Sequence, residues 1–249
     1  MPKLSKKDIA YLKGYKASDY DRPSVAVDIV IFTLHKKQLK VLLIKRAESP
    51  YESLWALPGG FVNKVSDKNL EAVAYRELHE ETGAKAPYLE QLFTFGSKDR
   101  DPRDWTLSVS YFALMAYDDI KLKAGTDASE ARLWPVNNGK VSAKLAFDHT
   151  KIVNLAVERL GSKLEYSAIA GFLLGGEFTL PELQEVYEII LNEKLDKTSF
   201  RRGLAKFDIV QETGRKTESQ GHRPAKYYRF NKHAKDSLFF PRSIVRSAK

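Results

Sequence analysis

The segment that decides the fold of the first half is RELHEETG, residues 76–83, where Glu77, Glu80 and Glu81 are three and four residues apart. At about 100° per residue, these three carboxylates share one face of a helix. Like charges at this spacing repel each other, and a hard cation such as Mg²⁺, which prefers oxygen ligands, relieves that repulsion. The pattern predicts a helix over 67–81, ended by Gly83, whose acidic face suits a metal-bound pyrophosphate. A solvated acidic face is the alternative interpretation.

Apolar, β-branched stretches surround this helix and are typical of strands. Strands are expected at 24–34, 39–45, 88–95, 105–116 and 131–135, and a further helix at 148–160. The LPGG string at 57–60 lies one loop before the acidic helix and favours a binding site there over a solvated face. This mixed order of strands and helices predicts an α/β or α+β first domain.

The last third of the chain has the element order of a winged helix-turn-helix, three helices followed by a β-hairpin. Helices are expected at 164–174, from a TLPE capping box at 179–182, and at 197–206 after an N-cap at Asp196, with strands at 208–213 and 226–230. Phe200, Leu204 and Phe207 are expected to point inward. Residues 161–163 are interpreted as the joint, so the predicted domains are 1–160 and 161–249.

Positive charge is concentrated at one end of the chain. The net charge is +9, and residues 197–249 hold 14 Lys and Arg against 4 Asp and Glu. This asymmetry predicts a polyanionic partner for the second domain. The absence of cysteine excludes disulfides and thiolate metal sites, and no apolar run is long enough to span a bilayer. With no signal-peptide pattern at the N-terminus, a cytoplasmic protein without a membrane partner is expected.

Outward residues of the third helix and of the hairpin loop are the candidate DNA contacts, because recognition helices present such side chains to the major groove. They are Thr198, Ser199, Arg201 and Arg202 on the helix, and Arg215, Lys216, His222, Arg223 and Lys226 on the wing. Each cation alone would be interpreted as a solvated surface residue. Their placement together on a helix and a hairpin in this order favours nucleic-acid binding.

Residues 60–84 resemble the Nudix box, which runs from a glycine to an Arg-Glu-apolar-x-Glu-Glu-x-Gly string. The resemblance implies an α/β/α sandwich and, in most members, metal-dependent hydrolysis of nucleoside diphosphates linked to another moiety. It assigns Glu77, Glu80 and Glu81 to the metal-ligand positions and gives Arg76 the task of orienting a glutamate. By resemblance and by phosphate chemistry, the expected ligand contacts are Arg46, Gly60, Phe61, Arg76, Glu77 and Glu81.

The sequence departs from this pattern in two ways. Lys68 stands at the upstream glutamate position, and 16 residues separate Gly60 from Arg76 where the pattern has 14. Because misplacement by about 1 Å can cost about 10²-fold in rate, we expect ligand binding with little or no hydrolysis. No catalytic residue is assigned, Glu77 and Glu81 are vestigial, and no cofactor is required, although Mg²⁺ can bind. Asp67 or Glu71 is the candidate replacement for the missing carboxylate.

Both halves together resemble the NrtR family of Nudix-related regulators of NAD metabolism. The similar strings are LPGGFV at 57–62, FTLPEL at 178–183, KTSFRR at 197–202 and RPAKYYRF at 223–230. The resemblance implies a homodimer joined through the Nudix domains, a palindromic double-stranded operator, repression of NAD biosynthesis or salvage genes, and ADP-ribose or a related metabolite as the ligand.

Two alternatives remain open at this point. One is an active Mg²⁺-dependent Nudix hydrolase of ADP-ribose or a related nucleoside diphosphate derivative, with a basic appendage. The weaker one is an RNA-binding module. His149, at the start of the helix expected over 148–160, is interpreted as a capping or packing residue.

Overall fold

The computed structural model describes residues 2–122, 128–167, 169–206, 208, 210–218 and 224–231. Its helices are α1 (Lys6–Gly14), α2 (Leu70–Thr82), α3 (His149–Leu164), α4 (Leu180–Leu191) and α5 (Lys197–Lys206). Its strands are β1 (Ser24–His35), β2 (Gln38–Arg46), β3 (Trp55–Ala56), β4 (Gly59–Phe61), β5 (Tyr88–Phe95), β6 (Thr106–Leu114), β7 (Ala128–Asn137), β8 (Lys140–Val141), β9 (Phe178–Thr179), β10 (Val210–Lys216) and β11 (Lys226–Phe230). Short 3₁₀ segments lie at Ala17–Asp19, Tyr117–Asp119 and Ile169–Leu173.

A mixed β-sheet forms the middle layer of the first half. Its strand order is β5-β6-β1-β2-β7-β8, with β3 paired to β2 and β4 paired to β1. Strands β1 and β6 are parallel, whereas β1 and β2 form an antiparallel hairpin. The turn residues Lys36 and Lys37 of this hairpin have φ values of 50° and 59°, as the tight turns that match strand twist require.

Two helices cover the two faces of this sheet. Because side chains alternate along a strand, Ile29 and Ile31 of β1 point to one face and pack with Leu78 of α2. Val30 and Phe32 point to the other face and belong to the cluster that includes the apolar side of α3. The predicted α/β/α sandwich is therefore confirmed.

Helix α2 begins three residues later than predicted. The Asn69 side chain caps it by accepting a hydrogen bond from the Ala72 amide at 2.8 Å, so Asp67 lies before the helix and is available for another contact. At the other end Gly83 adopts φ 64° and donates its amide to the His79 carbonyl. The C-terminal glycine stop is confirmed.

Helix α3 runs through the predicted joint. It continues to Leu164 because Leu160, Lys163 and Leu164 are all buried on one of its faces, while Gly161 faces open space. Burial of that face outweighs the roughly 1 kcal/mol that a mid-helix glycine costs. The prediction of a separate helix over 164–174 is wrong. Leu164 is the last residue of α3, and a 3₁₀ segment occupies Ile169–Leu173.

The second half is a winged helix built on α4, α5 and a three-stranded sheet. The Thr179 and Glu182 side chains form the predicted capping box of α4, and the Asp196 carboxylate accepts from the Ser199 amide at 2.8 Å at the start of α5. The hairpin β10–β11 gains a third strand, β9, which pairs with β11. Phe200 and Leu204 are buried as predicted, and Phe207 lies outside the described residues.

One hydrophobic cluster joins the two halves. It extends from Phe112 and Leu114 of β6, through Ile169, to Tyr187 and Phe200 of the winged helix. Helix α1, which the sequence patterns did not indicate, begins at a Ser5–Asp8 capping box and has no buried residue. In the described part of the chain, no helix has the length and apolar composition needed to cross a membrane.

Candidate functional site

Helix α2 turns two of the three predicted glutamates inward. Glu77 and Glu81 are buried, whereas Glu80 is exposed and receives a long hydrogen bond, 3.4 Å, from Arg76. Arg76 contacts Glu77 more closely, with 2.6 Å between Nη1 and Oε1. The arginine therefore orients a glutamate by an ion pair, in the way that the resemblance implied.

Asp67 supplies the carboxylate that Lys68 does not. Both Asp67 oxygens accept from Arg76, each at 3.2 Å, and the Asp67 side chain is only 5% exposed. Hydrogen bonding to Arg76 holds the pKa of Asp67 below its usual value. Lys68 and Glu71 are both exposed. Of the two candidate replacements, Asp67 is the one that pairs with Arg76.

Burial raises the pKa of Glu77 to about 7; the charges of Glu80 and Glu81 also raise it, and Arg76 opposes the shift. Two buried carboxylates are a partial donor set for a divalent cation. Within the described ranges, no three His, Asp or Glu side chains are grouped closely enough to hold a metal ion. The three glutamates do not form a ready-made Mg²⁺ site in this arrangement, and the metal assignment stays a prediction.

The Gly59–Gly60 pair brings the backbone of β4 against two carboxylates. A Cβ on Gly60 would overlap the carboxylate of Glu77, and a Cβ on Gly59 would overlap the Val27 carbonyl and crowd Asp28. Only glycine permits this approach. The LPGG string therefore lies between the acidic helix, which it contacts at Glu77, and the cleft described next.

A cleft opens beside this loop and encloses about 890 Å³, the solvent at its open mouth included. Its lining includes Asp28, Arg46, Leu57, Gly59, Gly60, Phe61, Arg100, Asp101, Arg103, Phe147 and His149. The lining contains three arginines and also the carboxylates of Asp28, Glu48 and Asp101, so an anionic ligand would compete with these carboxylates for the guanidinium groups.

The floor of the cleft is a buried polar network. The Arg100 guanidinium, 4% exposed, lies 2.7 Å from Asp148 and 3.4 Å from Asp28. His149 Nδ1 accepts the Leu57 amide at 2.9 Å, and Nε2 faces Asp28 at 3.5 Å. Because Nδ1 accepts a backbone N–H it carries no proton, and burial lowers the pKa of His149 in the same sense; the remaining ring proton is on Nε2, which faces Asp28. His149 therefore holds the LPGG loop in place, consistent with the packing role expected for it.

Aromatic rings and arginines stack at the cleft wall. The Arg103 guanidinium lies 5.1 Å from the Phe61 ring centre and 5.6 Å from that of Phe147. Arg46 lies 5.1 Å from the same Phe147 ring, and its Nε donates to the Pro50 carbonyl at 2.8 Å. Phe61 is 45% exposed, so part of its ring is accessible to a nucleobase that stacks on it.

The structure groups the predicted ligand residues in two adjoining places. Arg46, Gly60 and Phe61 line the cleft, while Arg76, Glu77 and Glu81 lie on α2 behind the glycine loop. Sequence reasoning missed Asp28, Arg100, Arg103, Asp148 and Phe147. Asp28, a single charge inside the apolar run of β1, was the one local signal that could have found them, because an isolated buried carboxylate requires a partner.

The raised pKa of Glu77 predicts a pH-dependent stability. Between about pH 4.5 and 7 the folded chain keeps a proton that the unfolded chain releases, so the free energy of unfolding falls as pH rises. We expect a fall on the order of 2 kcal/mol, since one pKa unit is worth about 1.4 kcal/mol and residual solvent screens part of the shift. Urea unfolding in EDTA at several pH values measures it, with Glu77→Gln as the control. Equal slopes in both proteins would contradict the prediction.

The winged helix presents a basic groove. Lys197 and Arg201 of α5 face Lys216 and Lys226 of the hairpin across a depression that Pro181 and Tyr228 also line. All four cations are exposed. A groove with cations on both walls fits a sugar-phosphate backbone.

The structure places the predicted DNA contacts as follows. Thr198, Arg201 and Arg202 are exposed on α5, and Ser199 is half-buried. On the wing, Arg215 pairs with Glu177 at 2.7 Å, and Lys226 pairs with Glu212 at 2.8 Å. Phosphates would compete with these carboxylates for the two cations. His222 and Arg223 lie outside the described residues.

Comparison with protein-family models gives one match for each half. The NUDIX domain model matches residues 22–155, and the model described as NrtR DNA-binding winged helix domain matches residues 170–230. The two matched ranges correspond to the sandwich and to the winged helix.

Two relatives match in sequence. The chain is 42% identical over 235 residues to the ADPR responsive transcriptional repressor NtrR of Acinetobacter baylyi, covering 94% of this chain and 92% of that protein. It is 41% identical over 142 residues to the ADP-ribose pyrophosphatase of Methanocaldococcus jannaschii, covering 57% of this chain and 76% of that enzyme.

Crystal structures of Shewanella oneidensis NrtR are also similar. The complex of that protein with a 27mer DNA superposes with a TM-score of 0.79 at 40% identity, covering 88% of this chain and 98% of the other. Its NUDIX domain in complex with ADP ribose superposes with a TM-score of 0.57 at 38% identity, covering 63% and 99%. With both domain models matched and a repressor similar along nearly its whole length, this chain belongs to the NrtR family, which joins a Nudix domain to a DNA-binding winged helix.

Proposed function

We propose that this chain is an ADP-ribose-responsive transcriptional repressor of NAD biosynthesis or salvage genes. One observation carries the proposal. A single chain combines a cleft that contains three arginines, next to the Nudix helix, with a basic groove on a winged helix. Similarity to a repressor described as ADPR responsive, over 94% of the chain, supports the same assignment. In this proposal residues 1–160 sense the ligand and residues 161–249 bind DNA. Such a protein acts in the cytoplasm, together with its operator.

The cleft suits ADP-ribose by its chemistry. We assign Arg46 and Arg103, which line the cleft, to the pyrophosphate, and the exposed Phe61 ring to stacking with the adenine. Gly60 links this cleft to Glu77 and Arg76. The ADP-ribose complex of the NUDIX domain of S. oneidensis NrtR supports the choice of ligand.

DNA binding is assigned to α5 and the wing. We assign Thr198, Ser199, Arg201 and Arg202 to the major groove, and Arg215, Lys216, His222, Arg223 and Lys226 to the wing contacts. Two such modules, joined through the Nudix domains of a homodimer, would fit a palindromic operator whose half-sites lie about one helical turn or a multiple apart. The DNA complex of S. oneidensis NrtR supports duplex DNA as the partner.

The operator response tests the proposal directly. A duplex selected by the protein from a random-sequence pool is titrated in a gel shift with and without saturating ADP-ribose. We expect ADP-ribose to lower duplex affinity by at least fivefold, because a ligand shifts a domain arrangement only through its differential affinity for the two arrangements. Unchanged affinity would refute the responsive repressor.

A second candidate, an active Mg²⁺-dependent ADP-ribose hydrolase, is favoured by the similarity to the M. jannaschii pyrophosphatase. The buried Glu77 and Glu81 carboxylates are compatible with it, whereas the exposed position of Glu80 argues for weak hydrolysis.

Product analysis with ADP-ribose and Mg²⁺ separates the two candidates. We expect little AMP and ribose phosphate, and little further change in Glu81→Gln, because Glu80 is exposed while Glu77 and Glu81 are buried, and the described residues do not group three such side chains as a metal site. The matched control is Glu71→Gln, since Glu71 lies on the same helix and is exposed. Rapid turnover that Glu81→Gln abolishes, and Glu71→Gln keeps, would establish the hydrolase instead.

A further inference from the structure

Helix α3 begins in the floor of the cleft. Asp148, which immediately precedes it, holds Arg100 by two contacts of 2.7 and 3.1 Å. His149, its first residue, accepts the Leu57 amide and faces Asp28. Arg100, Leu57 and His149 all line the cleft. A ligand that shifts any of these groups therefore acts on the first turn of α3.

The other end of α3 is held by a second buried ion pair. The helix has 16 residues, so this end lies about 24 Å away. Lys163 is 4% exposed, and its Nζ lies 2.5 Å from Glu90 of β5. Arg159 and the Tyr88 hydroxyl also bond to Glu90. A charge buried this deeply is costly to leave without a partner, so movement of the helix end must carry the whole cluster with it.

A short polar chain continues from Lys163 to the winged helix. The Ser167 hydroxyl donates to the Lys163 carbonyl at 2.6 Å, and the Ser167 carbonyl accepts from the Tyr187 hydroxyl at 3.3 Å. The Tyr187 ring packs edge-on against Phe200, with 5.1 Å between ring centres. Tyr187 and Phe200 are buried, and Phe200 belongs to α5, the helix with the candidate DNA contacts.

We propose that helix α3 transmits ligand binding in the cleft to α5, the helix with the candidate DNA contacts. In this proposal Lys163, through its ion pair with Glu90, holds the C-terminal end of α3 in place between the two domains. The inference rests on the proposed function and adds the route by which the cleft reaches α5. The two ends of α3 are anchored in separate buried networks and the helix between them is continuous, so a tilt at one end displaces the other. Packed cores favour discrete rearrangements over gradual deformation.

Replacing Lys163 with methionine tests this route. The side chain keeps its length and loses its charge, while Glu90 keeps Arg159 and Tyr88 as partners. The measured quantity is the coupling factor, the duplex dissociation constant with ADP-ribose divided by that without it, on the selected duplex. We expect it to fall at least fivefold in Lys163→Met, with each binding constant alone changed less than threefold. Lys151→Met, on an exposed position of the same helix, is expected to leave the factor unchanged.

The outcomes separate this inference from the proposed function. If the wild-type duplex affinity does not respond to ADP-ribose, the proposed function fails and this inference fails with it. If the wild type responds and Lys163→Met responds equally, the inference alone is overturned. Should circular dichroism show that Lys163→Met is unfolded, Tyr187→Phe decides, because it removes only the hydroxyl that bonds to Ser167. A coupling factor lowered at least twofold in Tyr187→Phe supports the route, and an unchanged factor overturns it.

Discussion

The double variant Arg201→Ala and Arg202→Ala will bind the selected operator duplex about 10²- to 10³-fold more weakly than the wild type. Both arginines are exposed on α5, and Arg201 forms one wall of the basic groove. A good arginine contact to a base is worth about 1–3 kcal/mol, and removing a cation that neutralises a phosphate also lowers the salt dependence of binding. Fluorescence anisotropy at several salt concentrations measures both quantities.

This prediction also tests the division of roles between the two domains. ADP-ribose affinity is expected to stay within twofold of the wild type, because neither arginine belongs to the lining of the cleft. Arg132→Ala is the matched control, since Arg132 is an exposed arginine on β7 of the sandwich. Equal losses of duplex and ADP-ribose binding would contradict separate sites for the two partners.

Replacing Arg100 with leucine will lower the free energy of unfolding by about 3–5 kcal/mol. The change leaves the buried Asp28 and the half-buried Asp148 without their cation, and breaking a buried ion pair from one side carries a cost of this size. ADP-ribose affinity is expected to fall as well, because Asp148 and the first turn of α3 lose their anchor. Urea unfolding and isothermal titration calorimetry measure the two effects.

Arg215→Leu is the control for burial. Arg215 forms an ion pair of the same length, 2.7 Å from Glu177, but the two side chains are 71% and 35% exposed. An exposed pair contributes about 0–1 kcal/mol, so this variant is expected to unfold at nearly the wild-type urea concentration. Similar losses in both variants would show that burial of the Arg100 network does not set its contribution.

Local patterns predicted most secondary structure well. The expected strands at 88–95 and 226–230 coincide with β5 and β11, and the Thr179–Glu182 capping box and the Gly83 stop are present as predicted. Such signals depend on residues within one or two turns of each other, so they are legible in a linear sequence. The error at 164–174 arose where burial of Lys163 and Leu164 against other elements extended α3 through a glycine.

In the candidate site, too, local spacing predicted some residues and long-range packing decided the others. The spacing of residues along one helix was enough to single out the three glutamates and Arg76. The same spacing showed that Lys68 breaks the pattern. Asp67 was one of two candidate replacements for the missing carboxylate in the sequence, and only the geometry shows that Asp67 is the one that pairs with Arg76. The cleft floor joins Asp28, Arg100 and Asp148, which are 72 and 48 residues apart in consecutive steps. No short-range pattern could have grouped them.

By itself, the sequence determined the two-part organisation, the acidic helix of the first half and the basic helix of the second. These properties reside in periodicity, capping residues and local charge, which act over a few residues. Only the tertiary structure decided which arginines line the cleft and that His149 supports the LPGG loop. It also decided that one helix, α3, runs from the floor of the cleft to the winged helix. Those features depend on burial, which is set by the packing of distant segments and determines whether a charge must find a partner.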